Sequence, residues 1–355
     1  MLAVVILAAA AAAAQLQASD GFFYETTTLD ARVHVIMRPD PVRVPAEGNV
    51  TVVEQSDGLI VIDAGGSPLG GRRVVEKIRS ISKKPVNFVV FTHWHGDHNL
   101  GAPAFKMAYP AAHFISTQGT YAAMTGNAAH FYDGYQENWT KVKASSEKNA
   151  ADASRPADER ARWRQLALDA PLIGKAYAGT KVVPADIVFA DRMTFEDPVA
   201  PVELMFLGRG NTDGDAVAWL PAQRILVSGD LVVAPYPYGT ESYPKEWIDV
   251  LKKLEGYNFA YLVPGHGPVM MDRIYIDSVI ALIEDMRNQV EPLARQGLSL
   301  DDIKTKVNFE PEYRRFAGND TLVRRFFRQF FVDDMIGCAY KEAKGIPIVQ
   351  NGTSG

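Results

Sequence analysis

Four side chains able to bind a metal crowd into six positions of this chain, in Thr92-His93-Trp94-His95-Gly96-Asp97-His98. Three of its 7 histidines fall there, directly after a continuous apolar stretch. Histidines that merely fill a core have no reason to cluster with an aspartate in a glycine-containing loop. Imidazole with carboxylate is a borderline-to-hard donor set that suits zinc, with iron or manganese also accommodated, and a catalytic zinc keeps one position open for water. Two later segments end apolar runs with further donors: Asp230 in Leu226-Val227-Ser228-Gly229-Asp230, and His266 in Pro264-Gly265-His266-Gly267. A metal held by such a set lowers the pKa of its water from about 15.7 toward about 7, which supplies hydroxide at neutral pH. No Gly-x-Ser-x-Gly turn offers a serine nucleophile instead. Gly65, Gly66, Gly70 and Gly71 look like a phosphate loop only superficially, because no Gly-Lys-Ser/Thr ending follows them.

The elements that must position these residues alternate between β-rich and helical segments from about residue 30, which is an α/β pattern. Strands are expected over 32–38, 49–55, 59–63, 86–92, 113–116, 202–207, 216–220, 225–228 and 261–263. Helices are expected over 72–82, 244–254 and 275–295, the second opening on a proline where a first turn tolerates one. Strands ending near Thr92, Leu207 and Gly229 run into polar, glycine-containing loops, where sites are commonly built. Residues from about 120 to 182 break the rhythm with a polar stretch of strong helix propensity, read as a helical insertion that is either a lid over a cleft or a solvated decoration. The mostly helical tail carries Phe326, Phe327, Phe330 and Phe331, a stripe expected to serve the core.

With 355 residues, 47% of them hydrophobic, the chain can bury one large core and a smaller second one. A net charge of -5 without a run of Lys or Arg excludes nucleic acid as the expected partner and leaves a small molecule. Met1 to Ala14 is unbroken apolar sequence followed by polar residues, so residues 1–18 are expected to be a signal peptide and the protein periplasmic or secreted. That stretch is too short to span a bilayer comfortably, and no stable membrane association is expected once it is removed. Cys338 is the single cysteine, so no intrachain disulfide can form. His34 and His113 alternate with apolar residues in strands, while His130, Phe131, Tyr132, Tyr135 and Trp139 lie in the insertion, where they could line a cleft mouth or simply pack.

The HxHxDH order after a strand, the later Gly-Asp and the Pro-Gly-His-Gly turn together resemble the metallo-β-lactamase superfamily over about residues 28–290. The resemblance implies an αββα sandwich, two β-sheets face to face with helices outside, followed here by a helical C-terminal extension over 291–355. Residue by residue it implies a first metal on His93 and His95, a second on Asp97, His98 and His266, and Asp230 between them, with one or two zinc ions bound. The family's third histidine at the first position falls on Asn211, in Gly208-Arg209-Gly210-Asn211-Thr212. An amide oxygen is a neutral, poorer zinc ligand, so the first position should be the weaker one. Asp63, in Val61-Ile62-Asp63-Ala64-Gly65, matches an Asp-x-Gly that would accept a hydrogen bond from a ligand histidine; an Asx turn capping the next helix is the other reading.

Where many lactamases carry cysteine, Asp230 is shared with glyoxalase II and the broader hydrolases of the superfamily. The lysine that holds a lactam carboxylate is Val233 here, leaving Arg209, Lys175 or an insertion residue as substitutes; Trp94, Tyr236 and Tyr238 are further candidates for substrate contact. The implied reaction is attack of hydroxide, oriented by Asp97, on an acyl carbon, with a β-lactam or lactone placed first. A glyoxalase II-like thioester or ester hydrolase and an iron-dependent sulfur oxidoreductase are the alternatives.

Overall fold

The computed structural model describes residues 22–350, so the expected signal segment lies outside the described residues. Strands β1 (Glu25–Asp30), β2 (Val33–Met37), β3 (Val50–Glu54) and β4 (Leu59–Ile62) pair antiparallel, and β5 (Val86–Val90), β6 (His113–Thr117) and β7 (Ile187–Phe189) extend the same sheet in parallel. The chain then crosses to a second sheet of β8 (Arg192–Phe195), β9 (Val202–Phe206), β10 (Ala216–Leu220) and β11 (Ile225–Val233), antiparallel throughout, with β12 (Tyr261–His266) parallel to β11.

Alternation along each strand builds the layers, because successive side chains point to opposite faces. In β4, Ile60 and Ile62 join Val90 and meet Leu204, Ala218 and Val227 between the sheets, while Leu59 and Val61 pack outward with Val74 and Ile78 of helix α1 (Pro68–Ile81). A strand buried on both faces reads as an unbroken apolar run, and those runs are the strands that sequence patterning finds. The three it misses, β1, β7 and β8, are short or lie at a sheet edge, and β1 exposes most of its polar side chains.

After α1, helices α2 (Gly96–Asn99), α3 (Ala102–Ala108), α4 (Gln118–Thr125), α5 (Tyr135–Ala151) and α6 (Ala157–Ala176) precede the crossover. On the second sheet lie α7 (Pro244–Glu255), α8 (Ile274–Arg295), α9 (Leu300–Lys304), α10 (Glu310–Ala317), α11 (Thr321–Phe327) and α12 (Asp333–Lys344). The expected αββα sandwich is therefore present, with the C-terminal helices as an extension of one outer layer. That extension is not a separate unit: position 290 falls inside α8, and Phe327, Phe331 and Met335 share one core with Leu251, Leu262 and Ile283. The phenylalanine stripe also divides, since only Phe327 and Phe331 are fully buried while Phe326 and Phe330 face a cleft.

Helix α1 begins at Pro68 rather than at Arg72, because Ser67 accepts a hydrogen bond from the Gly70 amide and caps it. Asp63 does not cap this helix, which removes the Asx alternative. The glycines of the turn serve close approach: a Cβ on Gly71 would stand 2.4 Å from the Gly101 carbonyl oxygen, backbone that cannot swing aside. Gly71→Ala is expected to cost about 1–3 kcal/mol of stability, read as a lowered denaturation midpoint; an unchanged midpoint would show that the two segments can separate freely.

Candidate metal centre and cleft

The donors converge at one edge of the sandwich. His93 and His95 follow β5, Asp97 and His98 start α2, Asp230 sits within β11, and His266 ends β12. His93, His95 and Asp230 offer atoms within 4.8 Å of one another, and Asp97, His98 and His266 do the same. In the first group His93 Nε2 lies 2.9 Å from His95 Nδ1 and 3.6 Å from Asp230 Oδ2. In the second, His266 Nε2 lies 3.0 Å from Asp97 Oδ2 and 3.1 Å from His98 Nε2. Asp230 Oδ1 approaches His98 Nε2 at 3.1 Å and His266 Nε2 at 3.6 Å, so its carboxylate stands between the groups.

One buried carboxylate sets the tautomers. His98 Nδ1 donates to Asp63 Oδ2 at 2.8 Å, which makes Nε2 the ring nitrogen that faces Asp230 and His266 and would bind an ion once it has lost its proton. Thr92 Oγ1 donates to the same carboxylate at 2.9 Å and lies 3.0 Å from His93 Nδ1, where its remaining lone pair can accept that ring's N–H. His93 Nε2 is thereby also turned inward as an acceptor. Acceptors that converge in a dry pocket need a cation among them. The arrangement fits a divalent metal pair of N and O donors, and ligand histidines held by an outer carboxylate are the usual companion of such ions.

Without an ion, burial drives His93 well below the ordinary histidine range and His95 down to about 4. Burial opposes charging His98 too, but Asp230, Asp63 and Asp97 outweigh it and hold that ring well above the ordinary value. Burial likewise acts against ionising Asp97 and Asp230, yet the neighbouring histidines keep both carboxyls well below the usual range. Neutral His93 and His95 with ionised Asp97 and Asp230 are the protonation states a metal requires of its ligands.

Asn211 lies fully buried in the loop after β9. Its Nδ2 donates to the Tyr238 carbonyl at 2.6 Å, which fixes the amide, and its Oδ1 finds no hydrogen-bond partner among the described residues. A buried orphan acceptor has a cost of about 1–3 kcal/mol unless something else binds it.

The centre opens into a cleft of about 680 Å³ bordered by His95, Asp97, Asp230 and His266. Its walls are aromatic: Trp94, Tyr236 and Tyr238 line it, Phe131, Tyr132 and Trp163 come from the insertion, and Phe326 and Phe330 from the C-terminal helices. The insertion is a wall of this cleft rather than a solvated decoration. Arg43 holds it through a bidentate, buried pair to Asp169 on α6 at 2.9 and 3.0 Å, and the Gly96 amide donates to Tyr132 Oη at 2.6 Å. A Cβ at Gly96 would stand 2.4 Å from the Tyr132 ring, which explains a glycine between two ligands.

Two expected substrate contacts fall elsewhere. Arg209 lies in a separate pocket, paired with Glu246 at 3.0 Å on the first turn of α7 and 4.2 Å above the Tyr243 ring. Lys175 is exposed on α6 and does not border the cleft. His130 pairs with Asp133 at the surface, 85% of its side chain exposed. Sequence reading gave no role to Thr92, although it adjoins the motif, because only the fold carries it to Asp63.

An αββα sandwich with histidines and carboxylates gathered at one edge of its sheets defines a class of metal-binding hydrolases. The chain belongs to the metallo-β-lactamase superfamily, whose family description matches residues 43–266. It is similar to a linear primary-alkylsulfatase from Pseudomonas sp., 24% identical over 298 residues, 78% of this chain and 52% of that protein. It is also similar to a metallo-β-lactamase type 2 from Bacillus cereus, 26% identical over 234 residues, 64% of this chain and 68% of that one. Among solved structures, the stereoselective inverting sec-alkylsulfatase Pisa1 from Pseudomonas sp. shares the fold at a TM-score of 0.62 and 16% identity, over 93% of this chain and 52% of that one. The chain thus spans about half the length of both alkylsulfatases.

Asp63→Asn removes an acceptor that serves one histidine of each donor group. Metal affinity at both positions should fall about 10- to 100-fold, measured by zinc titration of the folded variant, and unaltered affinity would remove Asp63 from the centre. Asn211→His should tighten the first position alone, and identical titrations would show that residue 211 does not face the ion.

Proposed function

We propose that this chain hydrolyses an ester-type bond carried on an apolar group of a small molecule, with one or two zinc ions on the six donors and the Asn211 amide. The observation that carries this reading is the cleft lining: aromatic side chains surround the donors, and Arg43, the one Lys or Arg bordering the cleft among the described residues, is committed to Asp169. A wall of that kind desolvates an alkyl or aryl group and provides no cation to clamp a carboxylate. Bound metal would supply Lewis acidity and lower the pKa of a water in the cleft. Asp97, half-buried and ionised, borders the cleft and can accept a hydrogen bond from the attacking water, which orients it. Similarity to a linear primary-alkylsulfatase over 78% of the chain supports sulfate esters of linear primary alcohols as the substrate class.

A second reading, β-lactam or lactone cleavage, is favoured by the similarity to the Bacillus cereus lactamase, but neither Val233, Arg209 nor Lys175 supplies its carboxylate clamp. Glyoxalase-type thioester cleavage needs the same centre, and iron chemistry on sulfur compounds would need a different ion. The apolar Met1–Ala14 segment supports export to the periplasm or medium.

The test is a series of alkyl sulfates and alkyl esters of rising chain length, beside penicillin, lactone and thioester substrates. Each methylene that enters the cleft should lower KM by up to about 4-fold, from about 0.8 kcal/mol per buried group. A KM indifferent to chain length, with faster penicillin turnover, would replace the ester reading by the lactam one. Exhaustive chelation should abolish hydrolysis and zinc should restore it; activity surviving chelation would refute the mechanism.

A further inference from the structure

The chain leaves α12 through Gly345, in the left-handed region at φ 66°, and runs back over the metal edge of the molecule to residue 350. Ile348 packs against the core of the second sheet, while Ile346 and Val349 on either side of it are about half exposed. The carboxamide of Gln350 ties down its end. Gln350 Oε1 accepts from Trp94 Nε1 at 2.9 Å and from the Asp213 amide at 3.3 Å. Its Nε2 donates to the Glu241 carbonyl at 3.2 Å and to the Asn211 carbonyl at 3.4 Å. Two acceptor and two donor bonds are the full capacity of a carboxamide.

These partners are not scattered. Trp94 stands between His93 and His95, its ring centroid 4.5 Å from that of His95. Asp213 and the Asn211 carbonyl belong to the loop that presents the Asn211 amide. We propose that Gln350 is a positioning residue for the first metal position: it joins the loop of His93 and His95 to the loop of Asn211 and fixes the distance between their donors. The proposal rests on the metal-centre reading above. Among the described residues no hydrogen bond links Gln350 to Asp97, His98 or His266, so its direct contacts fall on the loops of the first position.

The test uses the full chain, titrated with zinc by calorimetry and with cobalt by visible absorption, in wild type, Gln350→Ala, Gln350→Glu and Trp94→Phe. Gln350→Ala should weaken the first position by about 10-fold, at the lower end of what loss of a group behind the ligands costs, and leave the second unchanged. Gln350→Glu keeps the acceptor for Trp94 but loses both donor bonds, so its loss should be smaller. Trp94→Phe breaks the 2.9 Å bond from its other end and should add little to Gln350→Ala in the double variant. General destabilisation would instead weaken both positions together, and that result, or equal affinities in wild type and Gln350→Ala, would overturn the proposal while leaving the metal centre standing. A wild-type chain that binds neither ion would overturn the metal-centre reading, and the proposal with it.

Discussion

The carboxylate of Asp63 is the constraint on which the site depends. It binds His98 directly and reaches His93 through the Thr92 hydroxyl, so a single buried anion turns one histidine of each donor group inward. A histidine has two ring nitrogens, and which one faces a metal is settled by what the other one bonds. Asp63 can do this only from the end of β4, where its backbone adopts φ 66°, a conformation that aspartate tolerates better than most residues. Parallel pairing of β4 with β5 then brings that carboxylate beside the loop that begins at Thr92.

Three carboxylates and four imidazoles gathered behind aromatic walls would be costly for a folded protein with nothing among them. The arrangement fits residues kept for ions rather than for stability. The same walls lower the local dielectric, so charge placed at the centre acts more strongly there than in water. Binding and chemistry are thereby coupled: the aromatic groups that would take up an apolar substrate also keep the reacting centre dry.

The cleft is assembled from distant parts of the chain. The insertion supplies one wall, the loop after Asp230 another, and the C-terminal helices a third. The C-terminal region is therefore bound to the site both through Phe326 and Phe330 and through the Gln350 carboxamide. The alkylsulfatase similarity extends over more of this chain than the lactamase similarity does.

By itself the sequence determined the local chemistry and the layers. HxHxDH, Gly-Asp and Pro-Gly-His-Gly are dense, rare combinations at strand ends, and a strand buried on both faces must read as an unbroken apolar run, so donors and central strands were legible. Edge strands such as β1 were not, because a strand open to solvent carries no such pattern. Only the tertiary structure decided which side chains meet across the chain. Arg209 looked available until Glu246 was brought beside it, the insertion became a wall through Arg43 and Asp169, and the Phe326 to Phe331 stripe split between core and cleft. Spacing along a chain records what one element can present, whereas a pair such as Trp94 with Gln350 joins residues 256 positions apart and exists only once the layers have packed.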